Sequence, residues 1–150
     1  MPRSLHHAAL CVRDVAASLR FYRDGLGLVV LMDEHFDGDW PALFDAPSRQ
    51  LHSVFLGEPS APEAGIVELV AFDGGVDTDS PAPRPETGFF LLSFFVDLAA
   101  TLGRLDELGL GATPRRIEQP GPGGASVAMA TVRDPDGVLV ELIEAGSASA

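Results

Sequence analysis

Asp14-Val15-Ala16-Ala17-Ser18-Leu19 and Asp97-Leu98-Ala99-Ala100-Thr101-Leu102 are two versions of one helix start. Each follows a strand-like run, residues 5–12 in the first case and 89–96 in the second. The aspartate of each copy is an expected N-cap, because its short carboxylate can accept the unpaired backbone N–H groups of a first helical turn. Apolar positions then recur at helical spacing, at Val15, Leu19 and Tyr22 and at Leu98, Leu102 and Leu105, until Gly25 and Gly27 or Gly109 and Gly111 close the helix. Working outward, residues 28–32, 51–56 and 66–72 read as strands after the first helix, and 113–118, 127–132 and 138–143 after the second. The closing strands match as well: Ile66-Val67-Glu68-Leu69-Val70 parallels Leu139-Val140-Glu141-Leu142-Ile143. Both halves are therefore βαβββ, which is the signature of an internal duplication. The expected fold is α+β, two tandem βαβββ modules forming a curved, partly open sheet cup. Module 1 covers about residues 4–73 and module 2 about 88–145. A Gly, Pro, Asp and Ser-rich linker lies near 74–87, a turn at 120–124 and a frayed tail at 145–150.

Composition narrows the function. The chain has 150 residues, enough for one domain with a sizeable core. Its net charge of −12 argues against a nucleic-acid partner, which clustered positive charge would attract. All ten basic residues are arginine, so a lysine Schiff base and a phosphate-loop lysine are both excluded. Cys11 is the only cysteine and has no partner for an internal disulfide or a Cys-x-x-Cys pair. No apolar run is long enough to cross a bilayer and the first residues carry no signal-peptide core, so a soluble cytoplasmic protein without a membrane partner is expected.

The repeat supplies one glutamate twice, at Glu68 and Glu141, each amid apolar residues, whereas Glu144 is expected in solvent. A charged glutamate buried without a partner costs several kcal/mol, so both are expected to face one wet or polar cavity. At these residues, with His7-Ala8-Ala9-Leu10-Cys11-Val12-Arg13-Asp14, Ser18-Leu19-Arg20-Phe21-Tyr22, Gly25-Leu26-Gly27-Leu28 and Asp134-Pro135-Asp136-Gly137, the sequence resembles the vicinal-oxygen-chelate superfamily of glyoxalases, bleomycin-resistance proteins and dioxygenases. The resemblance covers nearly the whole chain.

It implies metal ligands at His7, Glu68, a residue opening the fifth strand, and Glu141, holding one divalent transition metal such as Mn, Fe, Co, Ni or Zn. The fifth-strand position falls on Phe90 or Leu91, neither of which can coordinate, so the site is incomplete there. The same gap disfavours an extradiol dioxygenase. The leading function is a glyoxalase- or epimerase-like, metal-assisted isomerase or lyase acting on a small carbonyl compound through an enolate. Glu68 or Glu141 would move the proton. Two alternatives stand beside it: a metal-free protein that binds a drug or metabolite, similar to bleomycin-resistance proteins, and a metal-free enzyme using the two glutamates as acid and base. Phe90, Leu91 and Phe95 are candidate lining residues, and Trp40 belongs to a long loop at 34–44 that could act as a lid. If Leu56 pairs with Ile66, Val54 lies opposite Glu68 and His52 shares its face, which makes His52 a substrate-binding candidate. Members similar to this chain pair modules across two subunits, so a homodimer is expected.

Overall fold

The structure, a computed structural model, describes residues 3–76 and 85–146. Residues 77–84 of the expected linker and 147–150 of the expected tail lie outside the described residues. The chain divides into two compact units, Met1–Asp79 and Ser80–Ala150.

Module 1 runs β1 (His7–Cys11), α1 (Val15–Leu19) continued by π-helical turns (Arg20–Gly25), β2 (Val29–Asp37), α2 (Trp40–Phe44), β3 (Gln50–Gly57) and β4 (Ile66–Phe72). Module 2 runs β5 (Leu92–Val96), α3 (Leu98–Glu107), β6 (Arg115–Pro120), β7 (Ser126–Arg133) and β8 (Leu139–Glu144). Each forms a four-stranded sheet, ordered β1-β4-β3-β2 and β5-β8-β7-β6. In both, the first strand pairs parallel with the last and the remaining pairs are antiparallel. The α+β class and the doubled βαβββ topology are thus as the repeat implies.

The repeated aspartates do the expected work. Asp14 accepts from the backbone N–H of Ala16 at 2.9 Å and Ala17 at 3.3 Å, and Asp97 from that of Ala100 at 3.0 Å. The first helix then widens, so that Phe21 O accepts from Leu26 N, five residues on, at 2.9 Å. This packs both Phe21 and Tyr22 fully inside. In module 2, Asp134 Oδ1 accepts from Asp136 N and Val138 N, both at 2.8 Å, and Gly137 takes the positive φ of 88° that closes this turn.

Strand alternation decides which side chains meet the helix. α1 packs on β4, and Leu69, Val54 and Leu56 are fully buried beside it; α3 packs on β7 and β8 over the fully buried Val140 and Leu142. A residue one step along a strand points to the opposite face. Glu68 and Glu141 therefore stand on the face of each sheet away from its helix, which is how an apolar strand accommodates a carboxylate.

Two local expectations need correction. Residues 34–44 are not an irregular loop: β2 continues to Asp37, and Asp39 then caps α2 through the backbone N–H of Ala42 at 3.3 Å. Glu144, expected in solvent, shares the helix face and its Oε2 accepts from Leu98 N at 3.1 Å, capping α3.

Candidate functional site

The open face of the module 1 sheet is the floor of a cavity of about 680 Å³. His7, Ala9 and Cys11 of β1, Glu68, Val70 and Phe72 of β4, and Leu51, Ser53 and Phe55 of β3 line it in strict alternation. α2 supplies Trp40 and Phe44 as one wall, their rings parallel to within 10° at a centroid separation of 5.9 Å. Glycine is required under this wall, since a Cβ at Gly38 would stand 2.6 Å from indole carbons of Trp40. The Trp40 indole nitrogen is buried and has no hydrogen-bond partner. Such an orphan donor costs about 1–3 kcal/mol.

The polar groups gather at one end. Glu68 is only 17% exposed at its side chain, with Oε1 3.4 Å from His7 Nε2. Its Oε2 accepts from Ser53 Oγ at 2.5 Å. The Nδ1 atoms of His6 and His7 are 2.8 Å apart. With the His7 proton on Nε2, facing Glu68, His7 Nδ1 is left to accept from His6 Nδ1–H. The His7 ring also lies against Phe55, centroids 5.3 Å apart. The Cys11 thiol is pushed up from its ordinary value, first by burial and then by the charge of Glu68. A carboxylate held by one hydroxyl and one imidazole, beside an apolar cavity, is equipped to take or return a proton.

Module 2 also pairs its glutamate with a serine, more openly and from the first strand instead of the third. Ser93 pairs with Glu141 across the parallel strands and donates to its Oε1 at 2.8 Å. Phe95 is on the same face and 67% exposed. The pairing also decides between Phe90 and Leu91. His7 pairs with Ile66, two residues before Glu68; Leu92 pairs with Val140, which sets Leu91 beside Leu139, two residues before Glu141. Leu91 is the counterpart of His7. Phe90 instead lines a separate cavity of about 580 Å³ within module 2, with Arg115 and Arg133.

The register expected for the β3–β4 hairpin is one residue out. Phe55, not Val54, pairs with Glu68, and Leu56 pairs with Val67. His52 is therefore on the helix face, away from the cavity. There its Nε2 lies 2.6 Å from Asp33 Oδ1 and its ring stacks on His35 at 4.3 Å. The shift that removes His52 brings in Ser53 and Phe55, which sequence reasoning missed. Alternation along β3 from the correct partner of Glu68 would have found both.

His7, Glu68 and Trp40 thus line one cavity, while Leu91, Phe95 and Glu141 belong to module 2. Among the described residues, no group of three or more His, Cys, Asp or Glu side chains is arranged to hold a metal ion. Module 1 offers one imidazole and one carboxylate, the latter already bonded to Ser53, and the fourth expected position is a leucine. Module 1 by itself therefore falls short of the three protein ligands that even an open catalytic transition-metal site takes.

Residues 4–142 match the model of the Glyoxalase/Bleomycin resistance protein/Dioxygenase superfamily, and the chain belongs to that family. It is 37% identical over 147 residues to the lactoylglutathione lyase-like protein terB of Aspergillus terreus, covering 93% of this chain and 74% of that one. It is 30% identical over 146 residues to a probable lactoylglutathione lyase of Synechocystis, covering 95% and 96%. The crystal structure of a glyoxalase family protein from Bacillus cereus superposes with a TM-score of 0.74 over 96% of this chain and 95% of that one, at 18% identity, and shows the shared fold. None of the described helices is long and apolar enough to cross a membrane.

Proposed function

We propose that the chain is a glyoxalase-like lyase or isomerase that moves a proton next to the carbonyl of a small compound bound in the module 1 cavity. Glu68 is the base. The observation that carries this is the Glu68 carboxylate, largely shielded from water, held between Ser53 Oγ at 2.5 Å and His7 Nε2 at 3.4 Å on the cavity floor. The names of its relatives in Aspergillus and Synechocystis support the reaction class. In a hemithioacetal, Glu68 takes the proton from the carbon bearing sulfur and the electron pair forms an enediolate; the hydroxyl proton of that carbon passes to the neighbouring oxygen, and Glu68 returns its proton to the adjacent carbon. The product is an α-hydroxy thioester, with nothing oxidised or reduced overall. His7 and Ser53 hold the carboxylate in place, and His7 stabilises the negative charge that develops on oxygen.

The metal-assisted form of this reaction requires His7, Glu68 and Glu141 to share one divalent ion. Module 1 alone supplies only two of those ligands, so no step is assigned to a metal. Glu141, held by Ser93, is proposed as a second acid–base group. A homodimer is part of the proposal, supported by the exposed Phe95 and Ile117 on module 2. So is a cytoplasmic location, supported by the unpaired Cys11. The test is an assay of hemithioacetals formed from methylglyoxal or phenylglyoxal with 2-mercaptoethanol or glutathione, after EDTA treatment. Thioester forming above the uncatalysed background is the expected result. No conversion of any adduct would overturn the proposal.

A further inference from the structure

We infer that the module 1 cavity takes a neutral, largely apolar aromatic carbonyl compound and not a glutathione adduct. The inference rests on the proposed proton transfer only for its carbonyl; the rest comes from the walls. Phe36, Trp40, Phe44, Phe55 and Phe72 supply aromatic surface on several sides, with Leu51, Val70 and Met32 between them. Flat aromatic molecules pack against such surfaces by offset or edge contacts. Among the described residues no arginine lines the cavity, and lysine is absent from the chain. The nearby Arg49 is turned to Asp37 at 3.2 Å and Asp39 at 3.7 Å.

Glutathione adducts carry two carboxylates and an extended polar backbone. Entering this cavity, they would lose hydration and meet Glu68 and Asp45 instead of a cation. A single neutral oxygen suits it better. The charge of Glu68 already faces His7 and Ser53, so the polar end offers a place for one carbonyl. The cavity mouth agrees: Phe44 is 59% exposed and Phe36 39% exposed, an apolar rim that an aromatic ligand would cover.

The chain's one tryptophan is in the wall, so its indole gives a single side-chain N–H signal in a ¹H–¹⁵N spectrum and reports occupancy without turnover. The probes are 1-tetralone, a neutral bicyclic aromatic ketone, and S-lactoylglutathione, titrated against the intact chain and against Phe44→Ala. Phe44 is exposed enough for its loss to leave the fold intact. Tetralone is expected to move the indole signal saturably, S-lactoylglutathione to leave it in place at the same concentrations, and Phe44→Ala to weaken tetralone about tenfold. A signal unmoved by tetralone, moved as strongly by S-lactoylglutathione, or indifferent to Phe44→Ala would overturn the inference. Tetralone binding to a chain that isomerises no adduct would sink the proton-transfer reading alone. Turnover of glutathione adducts with no tetralone binding would sink the ligand class alone.

Discussion

Replacing Ser53 by Ala removes one hydroxyl from a position that is 1% exposed, and with it the 2.5 Å bond to the Glu68 carboxylate. Hydrogen bonds to charged groups contribute about 1.5–3 kcal/mol net, and Glu68 has little water available to replace the lost donor. A destabilisation of about 2 kcal/mol follows, which for a chain of this length lowers Tm by about 4–8 °C. Module 2 provides a comparison from a different strand, since Ser93 stands where β1 has Ala9. Ser93→Ala removes a 2.8 Å bond to Glu141, but Ser93 is exposed and water can take its place, so the loss should stay below about 1 kcal/mol. Urea unfolding followed by far-ultraviolet circular dichroism measures both. A double-mutant cycle of Ser53→Ala with Glu68→Ala should give a coupling of about 1.5 kcal/mol. Equal effects of the two serine variants, or a coupling near zero, would refute the reasoning that burial makes the module 1 pair the stronger.

Alkylation of Cys11 by iodoacetamide should follow a pH profile centred above that of a free cysteine, because burial and the Glu68 charge both disfavour the thiolate. Glu68→Gln should bring the midpoint part of the way down, since burial, the larger cause, remains; an unchanged midpoint would remove Glu68 as a neighbour. His52→Ala should leave tetralone affinity within about twofold and cost less than about 1 kcal/mol, as expected for a partly exposed polar contact on the opposite face. A large loss of affinity would restore the other register. Light scattering at micromolar concentration should report a homodimer; a monomer would contradict the role given to exposed Phe95 and Ile117.

Much of the fold was legible because duplication repeats its own signals. Asp14 and Asp97 mark two helix starts, and the glutamate of each last strand marks the open face of its sheet. What was not legible was register. The connection between β3 and β4 spans residues 58–65, and nothing in those residues states whether Leu56 meets Ile66 or Val67. One step exchanged His52 for Ser53 and Phe55. The position equivalent to His7 was ambiguous for the same reason, until the β5–β8 pairing assigned it to Leu91. α2 was hidden because a five-residue helix carries too few turns to show a period; only Asp39 ahead of Trp40-Pro41 hinted at it.

In the proposed reaction Glu68 moves the proton from its place in the module 1 cavity. The most direct measurement compares hemithioacetal isomerisation by Glu68→Gln and by Glu141→Gln, with circular dichroism and the Trp40 indole signal confirming fold and occupancy. Glu68→Gln should bind as the parent does and lose about 10²–10⁴-fold in kcat, as removal of a general base requires, while Glu141→Gln loses less. Turnover at the parental rate by Glu68→Gln, with the loss falling on Glu141→Gln, would contradict it.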